Sequence, residues 1–106
     1  MSPVVKRRGG EVYDERFTGC VYVVRAEGTN AVKVGFSKDV KARVAALQTA
    51  SPFLLVLLGY YIGFEESHER AVHALMPSRR ARGEWFTFGH DEDPCDVVET
   101  LLSEVI

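Results

Sequence analysis

Cysteine, tryptophan and long apolar runs are scarce in this chain, and past Arg82 it carries no lysine or arginine at all. Cys20 and Cys95 are its two cysteines, with no Cys-x-x-Cys spacing. Two free thiols in a reducing compartment are therefore expected, rather than a disulfide framework or a cysteine-held zinc. The longest apolar stretch, Phe53 to Ile62, is about half of the roughly 20 residues that a bilayer-spanning helix needs. The basic stretch from Met1 to Gly10 is not followed by an apolar segment, so it does not read as a secretory signal. A cytoplasmic protein without a membrane partner is the expectation. The run Val34-Gly35-Phe36-Ser37-Lys38 lacks the glycines of a nucleotide-binding loop, which argues against a Walker-type ATPase.

What is present suits one soluble domain. The chain has 106 residues, 46% of them hydrophobic and 26% charged. That is enough for a modest core without staples. The net charge of −2 is unevenly spread. Residues 33–82 carry eight Lys or Arg against four Asp or Glu, whereas residues 83–106 carry seven acids and no base. A basic middle fits a phosphate-bearing partner, and the acidic end would face away from it.

Periodicity places the elements. Residues 1–16, with Lys6-Arg7-Arg8-Gly9-Gly10, read as a flexible basic arm, and residues 17–106 as the folded domain. Cys20 to Val24 is β-branched around Tyr22, as strands prefer. Glu27-Gly28-Thr29-Asn30 is turn chemistry. Val32, Val34 and Phe36 then alternate with Lys33 and Gly35 in a second strand. Ser37 is expected to cap a helix over about 38–49, ended by Ser51-Pro52. Phe53 to Ile62 is nearly all apolar and reads as the central strand, covered on both faces. A second helix is expected over about 64–76, then a basic loop with Arg79, Arg80 and Arg82, then an aromatic segment Trp85 to Phe88. Asp93 and Pro94 start a last helix.

Candidate functional residues emerge from these positions. Val40, Val44 and Leu47 define the buried stripe of the first helix, and Arg43 falls on the same side. A guanidinium there must find an anion or reach for water. Glu69 lies at the rim of the second helix's apolar stripe, with His73 one turn later. His68, Glu69 and His73 do not form the zinc motif of two histidines four apart, because a spacing of five points them about 140° apart. His68 is assigned to the surface. Trp85, Phe86 and Phe88 read as core rather than as base-stacking platforms.

Several of these residues, taken together, resemble the GIY-YIG endonuclease superfamily, in particular its small single-domain phage and bacterial branch. Cys20-Val21-Tyr22 stands where that family has its first tripeptide and Lys33-Val34-Gly35 where it has its second. Arg43 matches the helix arginine, and Leu47-Gln48-Thr49-Ala50-Ser51-Pro52 an LQT-x-x-P stretch. Glu69 with His73 resembles E-x-x-x-H, and Gly83-Glu84-Trp85-Phe86 the closing motif. The resemblance spans about residues 19–88. It implies an α/β (α+β) fold with a small three-stranded antiparallel sheet flanked by helices, to which the C-terminal helix is added. It also implies metal-dependent hydrolysis of DNA phosphodiesters, with RNA open as the other substrate.

Under that reading Tyr22, Lys33, Arg43 and His73 are the catalytic residues. Glu69 holds one Mg²⁺ (or Mn²⁺), and Lys38, Arg79, Arg80 and Arg82 contact nucleic acid. Tyr22 would take a proton from water directly or through another group, and Arg43 would clamp the phosphate. Two departures stand out: Lys33 replaces the family's second tyrosine, and its late asparagine has no clear counterpart, although Glu84 sits near that place. The alternative is a non-catalytic nucleic-acid-binding module of the same fold.

Overall fold

The computed structural model describes the backbone of residues 5–7 and residues 19–105. The basic arm expected over residues 1–16 lies outside the described residues, apart from that short stretch of backbone. In chain order the elements are β1 (Val5–Arg7), β2 (Cys20–Ala26), β3 (Ala31–Ser37), α1 (Val40–Thr49), β4 (Leu55–Ile62), α2 (Glu66–Ala74), a 3-10 turn (Pro77–Arg79), β5 (Arg80–Arg82), β6 (Trp85–Thr87) and α3 (Pro94–Val105).

The expected three-stranded sheet is corrected. All pairings are antiparallel, but the sheet has six strands in the order β1-β4-β2-β3-β6-β5. Five of them lie within residues 20–87, and the short β1 extends one edge. The added strands come from segments the sequence disguises. The Arg80–Arg82 loop folds back as a hairpin onto the aromatic segment, and Gly83 supplies the positive φ of +56° that its turn requires. The apolar stretch from Phe53 is also not the central strand. It becomes β4 only at Leu55, while Phe53 and Leu54 stay exposed in the approach to it. The strand buried on both faces is β2, whose near-continuous apolar run lies between β4 and β3.

Alternating side chains give two cores. On one face Val21, Val23, Val32, Val34, Tyr61 and Phe86 pack against Val72 of α2 and Met76 just past it, and against Val98 and Leu102 of α3. The Tyr61 hydroxyl donates to the Cys95 carbonyl at 3.0 Å, tying β4 to α3. On the other face Tyr22, Val24, Tyr60 and Ile62 lie beneath α1. Val40 is the buried residue of that helix, and Val44 and Leu47 are half-buried. Arg43 is exposed. It sits on the rim of the stripe with its charged end in water, because α1 touches the sheet along a narrow line.

Local chemistry sets the helix ends. Asp39, not Ser37, caps α1, accepting from the Ala42 amide at 3.1 Å, while the Ser37 hydroxyl accepts from the Asp39 amide at 2.9 Å. His68 completes a capping box at α2, its Nδ1 accepting from the Glu65 amide at 2.9 Å. Asp93 accepts from the Cys95 amide at 2.9 Å and starts α3 as expected. Among the described residues no helix is long and apolar enough to cross a membrane.

Candidate functional site

The site begins where β6 runs out. β6 pairs only with Ala31–Lys33 of β3, and the last bond of that ladder runs from the Val34 amide to the Glu84 carbonyl at 3.1 Å. The chain then turns away at Gly83. In a strand, the amide and carbonyl of one residue and the amide two residues on all point the same way. The Val34 carbonyl and the Phe36 amide therefore face an open edge.

Helix α2 closes that edge with side chains. His73 Nε2 lies 2.7 Å from the Val34 carbonyl. A carbonyl only accepts, so Nε2 carries the proton and donates. The Phe36 amide donates to the Glu69 carboxylate. The fit is geometric. The carbonyl and the amide fall within one strand repeat of about 6.7 Å, and a Glu and a His four apart lie one helical turn apart, about 6 Å, so the two side chains can reach both. Both side chains are buried, Glu69 to 5% exposure and His73 to 7%. The second histidine nitrogen, Nδ1, lies 3.9 Å from Glu69 Oε1.

Tyr22 approaches from β2. It pairs across the strands with Gly35 on one side and Tyr60 on the other. Its phenol lies over Gly35: a methyl group there would fall 2.4 Å from the Tyr22 hydroxyl. The glycine is needed because the tyrosine occupies the space of its missing side chain. Lys33 lies on the same face of β3. Its ammonium is 2.8 Å from Glu84 Oε1 and 5.7 Å from the centre of the Trp85 ring.

The electrostatics follow from burial and from Glu84. Burial, then the Glu84 charge, pushes the Tyr22 phenol up to about 12, with Arg43 pulling the other way. Tyr22 is thus a neutral phenol at physiological pH. Burial, then Glu84 and Glu66, pushes the Glu69 carboxyl up to about 7, against the Phe36 amide and Lys33. His73 is held below its usual range, chiefly by burial. A buried carboxylate short of positive charge is a hard oxygen donor that gains from a cation. One such group completed by water suits Mg²⁺ or Mn²⁺. No cluster of three or more metal-ligating side chains occurs among the described residues, which does not suit a closed zinc cage.

Tyr22, Lys33, Glu69 and His73 therefore converge on the β3 edge, and Arg43 lies at its margin, near enough to act on Tyr22. The arginine hairpin does not act as one unit. Arg79 turns inward, its guanidinium paired through both nitrogens with the Glu92 carboxylate and stacked 4.4 Å from the Phe88 ring. Arg80 is exposed, 5.3 Å over the Phe86 ring, and its charge reaches His73. Arg82 and Lys38 are exposed at the hairpin tip and ahead of α1. Phe86 and Phe88 are fully buried, whereas Trp85 is half-buried under Lys33. Glu84, noted in the sequence only as lying near the place of the family's late asparagine, is a central residue to which sequence reasoning gave no role. Its position in Gly83-Glu84-Trp85-Phe86, directly before the aromatic strand, was the available signal.

The family model described as the T5orf172 domain matches residues 19–104. The family is a phage-associated, nuclease-related domain of GIY-YIG-like type, and no match to the GIY-YIG family itself is found. No curated protein and no solved structure matches the chain.

Proposed function

This chain belongs to the T5orf172 domain family, and from that premise we propose that it is a metal-dependent endonuclease that hydrolyses DNA phosphodiester bonds. The observation that carries the reading is the convergence at one strand edge of a buried phenol, a buried carboxylate with its histidine, and a lysine, with an exposed arginine beside them.

Each group has a task in phosphodiester hydrolysis. Arg43 and Lys33 bind the phosphate oxygens and offset the charge that builds there. Tyr22, a neutral phenol, passes a proton along rather than holding one. Glu69 would hold the divalent ion, which when bound supplies Lewis-acid stabilisation of the phosphate and the leaving oxygen. His73, locked on the Val34 carbonyl, keeps Glu69 in place. Arg80, Arg82 and Lys38 line the approach and contact the backbone of the nucleic acid.

The test is cleavage of supercoiled, linear, single-stranded and branched DNA with Mg²⁺, Mn²⁺ or EDTA. Glu69→Ala and Arg43→Ala preparations, purified identically, run beside the wild type. Metal-dependent cutting that falls by roughly 100-fold or more in both variants is the expected result. Cutting that survives Glu69→Ala removes the metal role from Glu69.

The Lys33–Glu84 ion pair favours a second reading, a binding module of the same fold, because it occupies the lysine that replaces the family's second tyrosine. That module would bind nucleic acid without metal, with affinity falling steeply with salt. Strong binding with no cutting on any substrate would select it.

A further inference from the structure

The buried groups of the site need an outlet to water. Tyr22 is 1% exposed and Glu69 5%, whereas the Glu84 side chain is 42% exposed. The backbone holds Glu84 in place: its carbonyl accepts from the Val34 amide, and the next residue, Trp85, pairs with Lys33. Glu84 thus stands at the residue before Gly35, over which the Tyr22 hydroxyl lies. Its carboxylate is ion-paired with Lys33, whose side chain is 11% exposed.

We propose that Glu84 is the proton acceptor for the attacking water, and that its ion pair with Lys33 is the latch that a substrate phosphate opens. The inference rests on the nuclease reading of this site. The lysine ammonium is a point charge that serves either anion. A phosphate arriving at Arg43 and Lys33 draws the ammonium from Glu84 and leaves a carboxylate beside the incoming water. One O–H bond of that water breaks and its oxygen forms the new bond to phosphorus. The proton passes to the Glu84 carboxylate, either directly or by way of the Tyr22 phenol, which gives up its own proton as it receives one. The phosphorus–oxygen ester bond breaks, and the protonated Glu84 returns the proton through solvent to the leaving oxygen.

The latch and the proton transfer make opposite demands, which a merely structural glutamate would not. Glu84→Gln keeps the shape and removes both the charge and the basicity. Binding is measured on a short fluorescent DNA duplex in EDTA, and cutting on the same duplex with Mg²⁺. Glu104→Gln, on α3, removes the same charge as a control. The expected result is binding several-fold tighter than in the control, with cutting lower by roughly 100- to 10,000-fold. Adding Lys33→Gln abolishes the gain in binding, because the two effects are coupled. Wild-type cutting retained in Glu84→Gln overturns the proposal. So does weaker binding in Glu84→Gln together with a lower melting temperature. A wild type that binds DNA but never cuts it overturns the nuclease reading, and the proton-acceptor role with it.

Discussion

On one face of the sheet Val21, Val23, Val32, Val34 and Phe86 are sealed beneath α2 and α3; on the other, α1 sinks only Val40 and leaves the rest of its length half-buried or exposed. The contrast separates stability from chemistry. The first face is closed by two amphipathic helices and removes whole side chains from water, each worth about 1.5–3 kcal/mol. The second face buries Tyr22, Val24, Tyr60 and Ile62 as fully, but under a single helix that stays largely exposed, and there Arg43 reaches solvent. The site lies at the edge of β3, where a helix of the closed face reaches round to the open one.

The contrast is sharpest in a pair of truncations. Phe86→Ala, in the closed core, is expected to cost about 3–5 kcal/mol, and Leu47→Ala, on α1, about 1. Urea unfolding measures both, and equal costs would remove the distinction between the faces.

Glu69 belongs to the closed side by burial and to the open side by chemistry, so its stability effect runs against that of an ordinary carboxylate. The folded state raises it from near 4.5 to about 7, so between those values the folded protein holds a proton that the unfolded chain has lost. In metal-free buffer, wild-type stability is expected to fall as pH rises through that window, by at most on the order of 3 kcal/mol, and then to level off. Glu69→Gln lacks that fall. His73, held low by burial, contributes the opposite slope, its stabilisation being lost as pH falls. Comparing the two proteins at each pH isolates Glu69, and parallel stability curves would contradict the reading.

Gly35→Ala tests the join between the faces. Its methyl group meets the Tyr22 hydroxyl, so the ring must shift, at a cost of about 1–3 kcal/mol in thermal unfolding. The same shift should lower cutting more than it lowers DNA affinity. Unchanged stability would mean that the phenol yields freely.

The smallest effects separate two arginines that look alike in sequence. Arg82→Ala is expected to reduce the slope of log affinity against log salt by about 1 and to leave the melting temperature alone. Arg79→Ala is expected to do the reverse, lowering the melting temperature slightly through the loss of Glu92 and Phe88 while the slope holds. Glu92, held down to about 2 by Arg79 and the Gly89 amide, reports the same pairing by titration.

Much of this arrangement was written in local pattern. β2, β3, the three helices and the cap at Asp93 follow from alternation, 3.6-residue periodicity and capping chemistry, which depend on near neighbours. Arg43 and Glu69 stood out because each is charged beside an apolar stripe, and Tyr22, Lys33 and His73 through the resemblance to the GIY-YIG superfamily. The size of the sheet was not legible. Arg80–Arg82 is too short and too charged to read as a strand, and it becomes one only because β6 offers it an edge. The inward turn of Arg79 depends on Glu92, thirteen residues away.

By itself, then, the sequence determined which residues are amphipathic, where helices begin and which side chains could do chemistry. The tertiary structure alone decided that β6 begins only at Trp85, that the Val34 carbonyl and Phe36 amide are left facing an open edge, and that His73 and Glu69 fill it. The reason is physical: backbone hydrogen-bonding groups must be satisfied wherever they are buried, and which of them lack a strand partner is settled only when the sheet is assembled.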